Sequence, residues 1–282
     1  MMIMRFPGGR RKALTLSYDD GVEQDQKLLD ILDSAGIRCT FNLNSGCYPE
    51  EGHIWPEGQV HRRMPASQAS ALYKAPHEVA VHTLTHPDLT MLPENEMTRE
   101  ILDDRRNLEE QFGTIVRGAA YPYGTYSDET VEALRACGIV YCRTVNASHR
   151  FSIPTDWLRL QPTCHHDDPL LDQICDRFLN EPFNANSGLF YLWGHAYEFE
   201  ANDNWQLIRD FSARMGGRDE IWYATNIEVY DYVAAWRQLI VSADGKKVRN
   251  PTATLLFAET DGGRIWEIGP GETKAGYPLV QD

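Results

Sequence analysis

Several things are missing from this 282-residue chain. No apolar run reaches the ~18 residues that a membrane-spanning helix needs. The opening stretch, MMIMRFPGGRRK, has neither the apolar middle nor the small-residue cleavage site of a secretory signal, so the chain reads as cytoplasmic. Basic residues are scarce: 27 Lys and Arg against 41 Asp and Glu leave a formal charge of −14. A surface of that sign repels polyanions, so neither nucleic acid nor a membrane is an expected partner. The six cysteines (Cys39, Cys47, Cys137, Cys142, Cys164 and Cys175) contain no CxxC pair. That argues against a zinc ribbon or a thioredoxin-type redox site and leaves small buried thiols. Internal repeats and low-complexity tracts are absent too, and no pattern sets an oligomeric state.

What is present is an alternation of strand-like and helix-like runs. ALTLSY (13–18) precedes a helix over 24–36, stopped by Gly36; IRCTFNL (37–43) and EVAVHT (78–83) are further strands, with a short helix near 67–74 between them. A long helix spans 93–113, with Pro93 in its first turn and Gly113 at its end. RGAAYPYG (117–124), a helix capped by Ser127, IVYCRT (139–144), a loop-rich segment over 145–188 and LFYLWGH (189–195) follow. A helix over 202–216, the strand IWYAT and a helix opened by a Thr225–Glu228 capping box complete the series. This order predicts an α/β fold with a mostly parallel sheet, open or closed into a barrel, over residues 1–240. Residues 241–282, with DG and GG turn signals between short β-type runs, read as a small β-hairpin extension packed on that body.

In such sheets functional groups collect at the C-terminal strand ends. Three groups fall there: Asp19 and Asp20 after the first strand, His82 and His86 after the third, and His195 after LFYLWGH. Adjacent carboxylates raise each other's pKa unless a cation stands between them. The H-x-x-x-H spacing suits two imidazoles on one divalent metal. One aspartate with two histidines makes a facial ligand set with open positions, and the second aspartate is then free to take a proton from water.

These residues resemble the motifs of the polysaccharide deacetylases, carbohydrate esterase family 4, of NodB-like type. SYDDG (17–21) matches the first motif and HTLTH (82–86) the second, in the right order and about sixty residues apart. The resemblance covers roughly residues 10–240 and implies a distorted (β/α) barrel. It implies Asp19 as catalytic base and Asp20, His82 and His86 as ligands of one divalent metal, zinc or alternatively cobalt, nickel, manganese or iron. AYPYG (120–124) matches the third motif and assigns the Tyr123 backbone N–H to the oxyanion, with Tyr121 beside it in the substrate wall. YLWGH resembles the fifth motif and makes His195 the general acid, with Leu192 and Trp193 lining the acetyl pocket.

The match is incomplete. The family's arginine beside the catalytic base falls at Ala120, and Arg117, Arg143 or Arg159 are candidates to replace it. The usual L-x-H spacing is broken by Gly194, and either Asp156 (before Trp157) or Glu198 is placed to orient His195. His165–His166 are adjacent residues whose side chains should point apart, so ligation by them is not expected. The implied function is removal of acetyl groups from an N- or O-acetylated carbohydrate of chitin, peptidoglycan or xylan type. The alternatives are hydrolysis of C–N bonds in small cyclic amides on the same fold, and an inactive carbohydrate-binding module.

Overall fold

The run KALTLSYD is buried along its whole length, as a strand must be when neighbours flank it and both faces are covered. It is the central strand of the computed structural model, which describes residues 2–260 and 263–276. In chain order the elements are β1 (Ile3–Arg5), β2 (Lys12–Asp19), α1 (Asp25–Ser34), β3 (Cys39–Leu43), α2 (Ala66–Leu72), β4 (Glu78–Val81), α3 (Glu94–Phe112), β5 (Gly118–Ala120), α4 (Asp128–Ala136) and β6 (Tyr141–Arg143). They continue with β7 (Cys164–His165), α5 (Leu171–Asn180), β8 (Gly188–Gly194), α6 (Ala196–Ala201), α7 (Trp205–Met215), β9 (Ile221–Tyr223) and α8 (Asn226–Arg237). The last are β10 (Ile240–Val241), β11 (Lys247–Arg249), β12 (Leu256–Glu259), β13 (Ile265–Ile268) and β14 (Thr273–Ala275).

The main sheet is parallel, in the order β6-β5-β4-β3-β2-β8-β7, with β9 alongside the first residues of β2. Two short hydrogen bonds, Thr144 N–H to Leu160 O (2.8 Å) and Leu160 N–H to Cys142 O (2.9 Å), tie the β6 edge to the segment leading into β7. Thr163 N–H to Tyr191 O (2.8 Å) ties the same segment to β8. The sheet therefore curls into the expected distorted barrel. Side chains of β2 divide by parity. Leu14, Leu16 and Tyr18 pack with Phe41, Val81, Ile101 and Phe190 beneath the helices. Thr15, Ser17 and Asp19 face the interior, where Asn42 Nδ2 donates to both Ser17 Oγ and Asp19 Oδ1 at 2.7 Å.

The N-terminal mouth of the barrel is stoppered by α8. Thr225 and Glu228 form the capping box the sequence announces. Asn226 N–H donates to Thr40 Oγ1 (3.0 Å), Asn226 Nδ2 to the Tyr191 hydroxyl (2.6 Å), and Ile227 N–H to Glu78 Oε2 (2.9 Å). Glu78 also accepts from Thr40 (2.8 Å) and Tyr141 (2.7 Å).

Three features depart from the reading of the sequence. The loop-rich segment contains α5, whose buried Leu171, Ile174, Cys175 and Phe178 follow a helical spacing that the surrounding polar residues obscure. A short α6 follows His195 before α7 begins. In place of one hairpin, the C-terminal segment forms two three-stranded antiparallel sheets among the described residues, β1-β12-β13 and β10-β11-β14. The edge of β12 is covered by β1, which brings Arg5 against Glu259 at 2.7 Å, buried on both sides. Among the described residues no helix is long and apolar enough to cross a membrane.

Burial pushes the Glu78 carboxyl from 4.5 up to about 7, against its hydrogen bonds to Ile227, Tyr141 and Thr40. A carboxyl raised in this way stabilises the fold fully below its unfolded pKa, and that contribution is lost as pH rises through the folded value. Melting temperatures of the wild type should therefore fall relative to Glu78→Gln as pH rises from 4.5 through 7. A difference that stays constant over that window would show that Glu78 does not titrate with unfolding.

Candidate active site

Asp19 is the last residue of β2 and keeps the inward parity of the strand. Asp20 follows with φ 79°, in the left-handed region, so the backbone turns between the two acids and sends them to different partners. Asp19 Oδ2 accepts from Arg143 Nη2 and Oδ1 from Asn42. Burial opposes the charge on Asp19, but Arg143, His82 and His195 outweigh it and hold the carboxyl below the usual carboxylate range. Of the three arginines available to replace the missing one, Arg143 alone reaches Asp19. Arg117 pairs with Asp231 and Arg159 with Asp128 and Asp156. In the β5–β6 register Arg143 stands directly opposite Ala120. The guanidinium therefore comes from the next strand at the same level of the barrel.

Asp20 is held by two residues the motifs do not mention. Arg63 Nη2 donates to Oδ1 (2.7 Å), and His61 Nε2 stands 3.1 Å from Oδ2. Both come from the long connection between β3 and α2, where no periodicity singles them out. Burial again opposes the charge, but hydrogen bonding to His61 and the positive groups around it keep Asp20 far below the ordinary range.

His82 and His86 occupy a loop after β4, not a helix. Thr83 and His86 have φ of 68° and 61°, and Thr83 Oγ1 accepts the His86 N–H at 3.1 Å. Tyr123, at φ 56°, sets its ring edge-on to His86 with centroids 4.7 Å apart. Four of the described non-glycine residues with positive φ (Asp20, Thr83, His86 and Tyr123) thus fall together around one site. His82 is braced from behind. Asp104 accepts its N–H at 3.2 Å, and Ala120 O accepts from its Nδ1 at 2.8 Å.

That last bond fixes the tautomer and leaves the His82 Nε2 lone pair turned inward. Asp20, His82 and His86 each offer one ligand atom, all within 4.8 Å of one another. Burial keeps both imidazoles neutral, His82 below its ordinary value and His86 at about 4. A carboxylate with two neutral imidazoles fits a divalent cation of the zinc class.

His195 ends β8 and caps α6. Its Nε2 lies 3.8 Å from Asp19 Oδ2. Its Nδ1 lies 3.2 Å from Glu198 Oε1, and Glu198 Oε2 also accepts the His195 N–H at 3.2 Å. Burial works against a charged ring, but Glu198 and Asp19 overcome it and raise the His195 pKa above the ordinary value. Glu198 therefore occupies the orienting position. Asp156, the competing residue, is turned outward and paired with Arg159 at 2.9 Å. Trp193 reaches the site, its ring stacked 4.2 Å from the Arg143 guanidinium.

Two residues placed in the substrate wall are elsewhere. Leu192 has the opposite parity to Trp193 and lies in the core beneath the helices. Tyr121 is buried, with its hydroxyl donating to Leu158 O at 2.7 Å. His165 and His166 do converge, with ring centroids 4.3 Å apart, because β7 ends at His165 and a turn follows.

Comparisons with known proteins agree with this geometry. The sequence profile described as polysaccharide deacetylase matches residues 7–142. The chitooligosaccharide deacetylase of Sinorhizobium fredii is 29% identical over 167 residues, 58% of this chain and 64% of that protein. The chitooligosaccharide deacetylase of Rhizobium leguminosarum bv. phaseoli is 30% identical over 155 residues, 54% of this chain and 60% of that protein. The chain thus matches less than two thirds of the length of these relatives. Among solved structures, a Mycobacterium smegmatis protein assigned as a polysaccharide deacetylase superposes with TM-score 0.59 at 17% identity, covering 83% of this chain and 94% of that one. The family 4 carbohydrate esterase of Streptomyces lividans, in complex with acetate, gives 0.50 at 17% identity, covering 76% and 92%. Both share the fold. Motif order, curled parallel sheet and the profile match over residues 7–142 all point to the polysaccharide deacetylase family.

Proposed function

We propose that this chain is a metal-dependent hydrolase that removes acetyl groups from an acetylated carbohydrate, with N-acetylated amino-sugar oligomers as the first substrate class. The observation that carries this reading is the division of the two neighbouring acids. Asp19 is held by Arg143 and faces His195, while Asp20 faces His82 and His86. Both curated relatives are named for chitooligosaccharides, which supports the amino-sugar class.

In this reading Asp20, His82 and His86 hold one divalent cation, zinc or another of cobalt, nickel, manganese and iron. When bound, the cation supplies Lewis acidity and lowers the pKa of water toward ~7. Asp19, kept ionised by Arg143, accepts the proton of the attacking water. The Tyr123 backbone N–H donates to the oxyanion that develops on the acetyl carbonyl. His195, whose protonated form Glu198 and Asp19 favour, delivers a proton to the departing nitrogen or oxygen, and acetate leaves. Trp193 walls the space for the acetyl methyl and carries the Arg143 guanidinium over its ring. The empty arginine position at Ala120 motivates the inactive-module reading, and the contact between Arg143 and Asp19 weighs against it.

Acetate release from chitooligosaccharides, acetylated peptidoglycan fragments, acetylxylan and a cyclic amide should separate the candidates. The wild type should act on the chitooligosaccharides and lose activity on chelation. Asp19→Asn should lower kcat by about 10²–10⁴-fold while retaining metal. Hydrolysis confined to the cyclic amide, or undiminished by Asp19→Asn, would falsify the deacetylase reading.

The role of Arg143 has its own signature. Removing the cation lifts the Asp19 pKa, so the ionised base is lost at higher pH than in the wild type. In Arg143→Met the acidic limb of the kcat/KM profile should move upward, with a larger loss at pH 5 than at pH 8. An unshifted limb with a uniform loss would assign Arg143 to packing alone.

A further inference from the structure

Beyond His195 lies a second group of side chains that the proposed reaction does not use in full. His165, His166, Asp167 and Glu198 each present one ligand atom, all within 4.8 Å of one another. Glu198 Oε2 stands 3.1 Å from His165 Nε2 and 3.2 Å from His166 Nε2, and Asp167 Oδ1 stands 3.6 Å from His166 Nε2. Nitrogen and oxygen ligands at ~2.0–2.1 Å from a tetrahedral ion are roughly 3.3 Å from each other. These three separations are of that size.

An independent observation concerns His166. Its side chain is fully buried, stacked on Phe199 with centroids 4.1 Å apart; its Nδ1 has no hydrogen-bond partner, and its Nε2 has two carboxylates, Glu198 and Asp167, beside it. Two carboxylates directed at one buried nitrogen repel each other unless positive charge lies between them. The orientation of the ring is fixed by Gly194. A Cβ at that position would collide with Nδ1 and Cε1 of His166, so that edge lies against backbone and Nε2 is turned toward Asp167 and Glu198. The glycine that breaks the L-x-H spacing is the residue that makes room for this imidazole.

We propose that His165, His166, Asp167 and Glu198 form a second divalent-cation site, distinct from Asp20, His82 and His86. Two imidazoles with two carboxylates suit zinc or cobalt. Glu198 connects the two sites through its two oxygens. Oε2 faces the second cation, and Oε1 stays beside His195 Nδ1. Occupation would hold Glu198, and through it the His195 ring, in one orientation.

The test is metal stoichiometry on the full chain, by elemental analysis after equilibration with Zn²⁺ and removal of free ion. The wild type should hold two equivalents, and His86→Ala one. His165→Gln and Asp167→Asn, on side chains 24% and 35% exposed, should each hold one. His86→Ala isolates the new site: Zn²⁺ should raise its melting temperature, and Co²⁺ should give the intense visible bands of a four-coordinate ion. Both signals should be absent from His86→Ala/His165→Gln, with circular dichroism confirming that each variant is folded. One equivalent in the wild type that disappears in His86→Ala overturns the second site and leaves the first. Two equivalents unaffected by both His165→Gln and Asp167→Asn also overturn it. Metal retained by His86→Ala and removed by His165→Gln supports the second site whatever the outcome for acetate release.

Discussion

A carboxylate and a guanidinium, both withdrawn from water, set the terms for everything at the mouth of this barrel. Asp19 and Arg143 are 1% and 0% exposed. Losing one partner of a buried pair of this kind costs about 3–5 kcal/mol. Asn42 takes the second Asp19 oxygen, and the face of Trp193 covers the guanidinium. The pair fixes where β2, β3, β6 and β8 must stand relative to one another, because each contributes one of these four residues. Packing and electrostatics are here the same constraint: the residue that neutralises the interior carboxylate is also the one that favours its ionised form.

Neighbouring acids at a strand end can diverge only if the backbone helps. Asp19 obeys the two-residue period of β2, and Asp20 leaves it through a positive φ. The same device recurs at Thr83, His86 and Tyr123, and a hydrogen bond from His86 N–H to Thr83 Oγ1 holds the first two. The site is thus made of strand ends for coarse position and strained turns for direction. Charge follows the same order. Imidazoles that face the acids from β4's loop stay neutral through burial, whereas the imidazole facing Glu198 is pushed toward the protonated form.

Much of this was legible in the sequence because it is local. Strand-end motifs, the Ser127 and Thr225 caps and the Gly113 stop depend on residues a few positions apart, and they stand where the pattern puts them. The illegible parts are those set by register between distant strands. Nothing near Ala120 indicates that Arg143 lies across from it. Parity alone separates Leu192 from Trp193, and the strand's inward face cannot be known before its neighbours are. Arg63 and His61 sit in a connection without period, and β1 finds its partner 254 positions away, where Arg5 meets Glu259. Glu198 was within reach of local reasoning, since a helix N3 residue folds back on its cap.

The clasp between β1 and β12 has a consequence for how the molecule comes into being. Arg5 has no water to fall back on: its guanidinium is satisfied by Glu259 and by the carbonyls of Asn184 and Asn186. Closing a loop of that length carries an entropic penalty that local contacts cannot offset in advance. Until Glu259 has left the ribosome, Arg5 waits without the carboxylate that neutralises it, and β1 cannot close on β12.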